Sequence, residues 1–327
     1  MKSNSLQILL AATLSIFSLP ALTLAQDFPL TIEHKFGTTV IPEKPVRVAT
    51  IDASGADDLL ALGIQPVVIK YWFGDYERVV WPWADPYLEE VPDAVVRGDL
   101  GFEMILAADP DVILALWSNI TPEDYDRLSQ IAPVVAVPPG VGNYDMSWDD
   151  RALRTGLAVG LQDEAQAQVD AIRAQLADVA ASHPEWKGMT ASVAAIRRQG
   201  DPGAYTSGDI RAQLLADMGF ETPQEIEALA TEDSPYWASL SLEDLSPLDG
   251  DLIVWVSSDG NFDNVMALTD RPYLNVVQRG GEVLAGKEVT GAFSHATLLS
   301  LPYGIERLVP MLEAALDGDP ETNADDR

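Results

Sequence analysis

The sequence predicts an α/β chain of two lobes, each a largely parallel sheet with helices on both faces, joined by one long helix. Three observations carry that expectation. Short apolar runs alternate with helical patterns on both sides of residue 163, which is the alternation that builds parallel sheets covered on both faces. A motif also recurs at a helix-to-strand step: Glu103, five residues, Asp109-Pro110-Asp111 and an apolar run match Glu243, five residues, Asp249-Gly250-Asp251 and an apolar run. Between the two copies, Val169, Ile172, Leu176 and Val179 fall at helical spacing, with Ala165 and Ala180 widening the stripe. About twenty residues at ~1.5 Å each make a rod of roughly 30 Å, long enough to link two lobes.

Taken in order, residues 1–25 read as a cleaved export signal. Lys2 opens it, an apolar stretch broken by Pro20 follows, and Thr23-Leu24-Ala25 supplies a small-residue cleavage site. The apolar part is short and polar-flecked for a membrane span. Residues 26–147 form the expected N-terminal lobe, with strands at 46–51, 67–71, around Val95-Val96, 112–117 and 134–137, and helices at 57–62, 102–108 and 123–131. Pro138-Pro139-Gly140 ends that unit. Residues 148–184 form the connection: a helix at 148–159 stopped by Gly160, then the linker helix at 163–183, with Asp163 placed to cap it and Gln166 three residues on. The C-terminal lobe, residues 185–317, is expected to hold strands at 192–196 and 252–256, a helix at 209–218, and a final helical region at 295–316 interrupted near Pro302. Residues 318–327 are a polar tail.

Composition removes several classes of function. There are 51 acidic residues against 20 basic ones, a net charge of −31, so nucleic acid and anionic membrane are poor partners. No cysteine occurs, which excludes a lipid anchor on Cys, a disulfide and a Cys-metal site. An exported chain without such an anchor points to a Gram-negative periplasm. The sequence has no Gly-x-Ser-x-Gly elbow, phosphate loop or dinucleotide fingerprint, so no catalytic residue is assigned and a secreted α/β enzyme is the weaker alternative. His34, His183 and His295 have no metal-ligand spacing, and Asp259 to Asp270 lacks the glycine and terminal glutamate of a calcium loop. No metal site and no cofactor are expected.

The candidate ligand contacts sit at strand ends, where open α/β sheets bind. Tyr71-Trp72-Phe73-Gly74-Asp75-Tyr76, followed by Trp81-Pro82-Trp83, concentrates aromatic side chains on a loop, and Trp72 is the foremost of them. Trp117 and Trp255 lie at or near the ends of the two repeat strands. Arg197-Arg198, with Tyr205 close behind, ends another; these arginines either pair with neighbouring carboxylates or hold an oxyanionic ligand with their planar forks. His295, at the head of the last helical region, completes the set.

Phe36-Gly-Thr-Thr-Val-Ile-Pro-Glu-Lys-Pro-Val-Arg-Val-Ala-Thr50, Leu60-Ala-Leu-Gly63, the two Glu…Asp-x-Asp repeats, and Tyr205 through Leu214-Leu215-Ala-Asp-Met-Gly-Phe220 resemble the periplasmic binding proteins of iron-siderophore ABC transporters. The resemblance runs over nearly the whole chain after residue 25. It implies two lobes on one linker helix, a cleft for a ferric siderophore, a monomer, and delivery to an inner-membrane ABC permease dimer. Related members carry cobalamin or haem, so those ligands stay open as alternatives. It also implies that Glu103 and Glu243, matched between the repeats, are the permease-docking carboxylates, one on each lobe.

Overall fold

The computed structural model describes residues 27–197, 200–322 and 324–325; the expected export signal and Arg198 lie outside them. The first lobe opens with a hairpin, β1 (Leu30–His34) and β2 (Gly37–Ile41). It continues through β3 (Val48–Thr50), α1 (Asp57–Ala61), β4 (Val68–Tyr71), β5 (Ala94–Arg97), α2 (Phe102–Ala107), β6 (Val112–Ala115), α3 (Pro122–Leu128) and β7 (Val134–Ala136). Strands β3 to β7 form a wholly parallel sheet in the order β5-β4-β3-β6-β7. Two helices, α4 (Trp148–Val159) and α5 (Gln162–Ser182), lead out of it.

The second lobe is β8 (Ala191–Ile196), β9 (Pro202–Tyr205), α6 (Ile210–Asp217), α7 (Gln224–Glu227), β10 (Trp237–Ser239), β11 (Leu252–Val256), α8 (Asp263–Met266), α9 (Asn275–Gln278), β12 (Glu282–Ala285), α10 (Lys287–His295) and α11 (Ser300–Ala315). Its strand order, β10-β9-β8-β11-β12, repeats that of the first lobe position for position. Strand β9 breaks the parallel run: it pairs antiparallel with β8, and the Arg197 N–H donates to the Asp201 carbonyl at 3.0 Å just beyond the paired residues.

The sequence repeat has a bonding counterpart. Asp111, just before β6, accepts the backbone N–H groups of Val46 and Arg47, both at 2.8 Å, on the approach to β3. Asp251, just before β11, accepts the N–H of Thr190 at 2.9 Å and its hydroxyl at 3.0 Å, on the approach to β8. Each aspartate therefore braces the entry of the two central strands of its sheet. These short strands pair over few residues, so a bond that fixes the entry also fixes register.

The faces of each sheet follow the two-residue alternation of strands. Val48, Val112, Leu114 and Val135 pack with the β1–β2 hairpin and α4, while Ala49, Ile113, Ala115 and Val134 pack with Ile105 of α2 and Leu128 of α3. In the second lobe Val193, Leu252, Val254 and Val283 join a core shared with α5, α6, α10 and α11. The alternate residues Ala194, Ile253 and Trp255 pack against Ile226, Val265 and Val276 on the outer side.

Helix α5 buries Ala165, Val169, Ile172 and Leu176, as its spacing predicts. Its early part is tied to the first lobe by Gln168 Nε2, which donates to the Ala61 carbonyl at 2.9 Å, and its later part packs on α6 and α11. Asp163 does not cap it. The helix starts one residue earlier, after Leu161, with no side-chain cap, leaving Asp163 and Glu164 in the first turn, where the dipole favours carboxylates. Gly156 of α4 permits the tight turn into α5, since a Cβ there would lie 2.5 Å from that of Ala165. The final helical region is two helices rather than one interrupted at Pro302: the break falls at residues 296–299, and Pro302 sits in the first turn of α11, which tolerates a missing N–H.

The lobes also meet directly. Val80, Trp81 and Trp83 from the loop after β4 belong to the same continuous core as Leu176 of α5, Phe293 of α10 and Leu308 of α11. Trp81 lies so close to α10 that a Cβ on Gly291 would sit 2.4 Å from its ring. Lys287 donates to the Gly74 carbonyl across the same junction.

Candidate functional site

The strand order of each sheet reverses at its centre, beside β3 and β6 in one lobe and β8 and β11 in the other, and the carboxyl ends of these strands are where such sheets hold ligands. In the first lobe Asp52 follows β3 and accepts the Trp117 N–H at 2.8 Å with Oδ1, which fixes the loop carrying Trp117. Trp72, after β4, stands edge-on to Trp117 with ring centres 5.4 Å apart, and Trp117 in turn meets Tyr144 at 5.8 Å. Trp72 is 47% exposed and Tyr144 50%, so this aromatic row is open to solvent. A small recess lies beneath it, bounded by Ala53 to Asp57, Lys70 to Phe73, Val79 to Trp81, and His295.

The second lobe presents Tyr205, Tyr236, Asp209 and Arg211. Tyr205 pairs directly with Trp237 across β9 and β10. The Arg211 guanidinium lies 4.4 Å over the Tyr205 ring, binds both Asp209 oxygens at 3.0 Å through Nη1, and donates to Ser294 Oγ at 3.0 Å through Nη2. Burial works against its charge, but the Asp209 carboxylate more than offsets this and holds Arg211 above its ordinary value. Burial, and then the nearby Asp145 of the first lobe, raise the phenol of Tyr236, which is 43% exposed, so the lobes approach each other at the rim.

The floor is a charged junction. Arg151 of α4 is buried, donates to the carbonyl of His295 at 2.8 Å and to that of Ala296, faces Asp58 at 3.5 Å, and lies 4.9 Å from the Trp117 ring centre. Asp57 Oδ2 accepts from Trp83 Nε1 at 2.6 Å and from the Thr297 hydroxyl at 2.8 Å, and Asp58 Oδ1 accepts the Leu298 N–H at 2.9 Å. Burial pushes Asp52 up to about 6 and Asp57 up to about 7, and it raises Asp58 despite the neighbouring Arg151. Burial lowers His295 to about 4.

These shifts set a pH dependence. From about pH 4 to 7 folded Asp57 keeps a proton that the unfolded chain has released, so its contribution to stability falls as pH rises. His295 acts oppositely: between 6.5 and about 4 the unfolded chain binds a proton the folded chain does not, so its contribution falls as pH drops. Asp57→Asn keeps an oxygen for Trp83 and Thr297 while removing the ionisation. The variant is expected to gain on the order of 2–4 kcal/mol over the parent at pH 8 and almost nothing at pH 4. Urea denaturation at the two pH values measures this; an equal change at both would detach the effect from Asp57 ionisation.

Of the residues singled out from sequence, Trp72 and Trp117 follow the carboxyl ends of β4 and β6, while Tyr205, one residue past the Ala204–Ala194 pair, lies away from the carboxyl end of β8 with the Arg211 guanidinium over its ring. His295 is brought beneath them but buried: its ring lies 5.1–5.8 Å from Phe73, Trp72, Trp81 and Trp83, and Nδ1 bonds the Gly291 carbonyl. It shapes the floor and presents no free face. Arg197 is exposed at the β8–β9 hairpin with its guanidinium 3.9 Å over Trp237. Trp255 belongs to the core instead of the cleft: it is fully buried on the outer side of β11 and donates to Glu282 Oε1 at 2.7 Å. Aligning the repeats residue by residue explains why, since Trp255 matches Ala115 inside β6, and the position matching Trp117 is Ser257. Among the described residues no group of histidines and carboxylates forms a metal site.

Glu103 and Glu243 are both exposed. Glu103 lies in the first turn of α2, whereas Glu243 sits in a turn between Ser241 and Asp244 rather than opening a helix. Each nonetheless follows the equivalent outer strand, β5 or β10, at its carboxyl end. Sequence reasoning missed Arg151 and Arg211. The available signal was a single arginine inside an otherwise apolar helical stripe, beside Ala152 in one case and Ala212 in the other.

The family described as periplasmic binding protein matches residues 48–275, more than half of the chain. The Fe(3+) dicitrate-binding periplasmic protein FecB of Escherichia coli is 27% identical over 68% of this chain and 70% of its own. A periplasmic solute binding protein from Mycobacterium smegmatis superposes with a TM-score of 0.76 and 29% identity, covering 88% of this chain and 98% of that one. PiaA of Streptococcus pneumoniae in complex with ferrichrome superposes with a TM-score of 0.71 and 30% identity, covering 88% and 99%.

Proposed function

The chain belongs to the periplasmic binding protein family, and from that premise we propose that it captures a ferric siderophore between its lobes and delivers it to an inner-membrane ABC permease. The observation that carries the reading is the aromatic row Trp72, Trp117 and Tyr144 beside His295, with Arg211 bonded to the adjacent Ser294 and lying over Tyr205, and Tyr236 at the rim next to Asp145. Aromatic faces with a few fixed polar groups suit a bulky chelate whose metal is already enclosed by its own ligand. The protein acts by binding, without catalysis or a cofactor of its own, as an exported periplasmic monomer. Glu103 and Glu243 dock one on each of two like permease subunits.

Retention of ferrichrome, haem and cobalamin by the purified protein in equilibrium dialysis tests the reading. Ferrichrome is expected to be retained at one site per chain, and Trp72→Ala is expected to weaken it roughly tenfold. Saturable retention of haem or cobalamin without any ferric chelate would replace the siderophore with one of those ligands.

A further inference from the structure

We infer that the cleft selects an uncharged or cationic ferric chelate of the hydroxamate kind over an anionic catecholate or citrate complex. The inference rests on the ferric-siderophore reading and concerns the charge of the ligand. Each hydroxamate gives up one proton on binding iron, so three of them balance the ferric ion and leave the chelate neutral. Catecholates give up two protons each and leave a trianion, and citrate complexes also carry net negative charge.

Of the guanidiniums near the cleft, those of Arg211 and Arg151 already face carboxylates, and that of Arg197 lies against the Trp237 ring. Nη1 of Arg211 is bound by both oxygens of Asp209, and Nη2 is spent on Ser294. Arg151, beneath, is committed to two carbonyls and Asp58. Asp145 enters from the opposite lobe beside Tyr236 and adds a negative charge at the rim. Desolvating an anion next to these carboxylates lacks the compensating pair that buried charge requires. The whole chain, at −31, repels an approaching trianion and attracts a chelate with a pendant ammonium. The aromatic row across the cleft demands no charge at all.

Asp209 provides the discriminating change. It caps α6, accepting the Arg211 N–H at 2.9 Å, and asparagine caps a helix as well as aspartate does, so Asp209→Asn frees the Arg211 guanidinium while keeping the helix start. Dissociation constants are measured by equilibrium dialysis for ferrichrome, ferrioxamine B, ferric dicitrate and a ferric tris-catecholate, with parent and variant. The parent is expected to bind the two hydroxamates at least about tenfold more tightly than the two anions, and Asp209→Asn is expected to move the dicitrate-to-ferrichrome ratio about tenfold towards dicitrate. Anions bound as tightly as hydroxamates by the parent, or a ratio unmoved in the variant, would overturn the charge argument while the siderophore reading stands. Failure of all four to bind would remove that reading and this inference with it.

Discussion

Replacing Arg151 with methionine is expected to lower the unfolding free energy by about 3–5 kcal/mol at pH 8, the cost of leaving buried charge without its partner. The side chain is 3% exposed, and its loss strands the Asp58 carboxylate together with the carbonyls of His295 and Ala296. Methionine fills most of the volume, so a cavity does not account for the loss. The pH dependence separates the causes. Asp52 is pushed up to about 6 and Asp58 is also raised by burial, and removing Arg151, whose charge lowers both, favours their neutral forms further, so the missing guanidinium costs less as pH falls. Urea denaturation of parent and variant at pH 5 and pH 8 measures both values. A loss below about 1 kcal/mol at pH 8, or one that does not shrink at pH 5, would show that Arg151 does not act as the neutralising partner.

Changing Glu103 and Glu243 together to alanine is expected to abolish uptake through the cognate permease while leaving chelate affinity nearly unchanged. Both carboxylates are exposed and follow equivalent strands, so one lies at the strand-exit edge of each lobe. Two like subunits would offer two copies of any cationic side chain, and exposed charges of this kind set encounter and orientation. As helix-end charge, Glu103 is worth only a few tenths of a kcal/mol, and Glu243 heads no helix at all. Transport into vesicles carrying the permease, beside the dissociation constant of the same variant, decides the matter. Normal transport by a folded double variant, or equal losses of transport and binding, would leave the pair without a docking role.

The fold was legible where the apolar pattern is long or repeated. The helix over 148–159 and the strand over 252–256 have the same bounds in sequence and structure, and the repeat became two equivalent bracing aspartates. The strands β9, β10 and β12 were not seen, because three or four residues such as Pro202-Gly-Ala-Tyr205 carry no period of their own and are held by their neighbours. The site was half legible. Trp72 on its aromatic loop announced itself, but its neighbours Trp81 and Trp83 went to the core, Trp255 needed the facing parity of β11, and Arg151 and Arg211 needed the packing that surrounds them. Buried charge leaves little trace in sequence, since its partners come from elements as distant as α4 and the α10–α11 turn.

The single core that runs from Trp81 and Trp83 through α5 to Phe293 and Leu308 means that the two halves of this chain are not interchangeable modules. A first lobe cut away before α4 would expose the indole faces that now pack on α10, and a second lobe alone would leave Phe293 and Gly291 facing water. Grafting a cleft wall from another protein onto this scaffold must therefore carry the loop at 72–84 together with α10, as one piece cut from both ends of the chain.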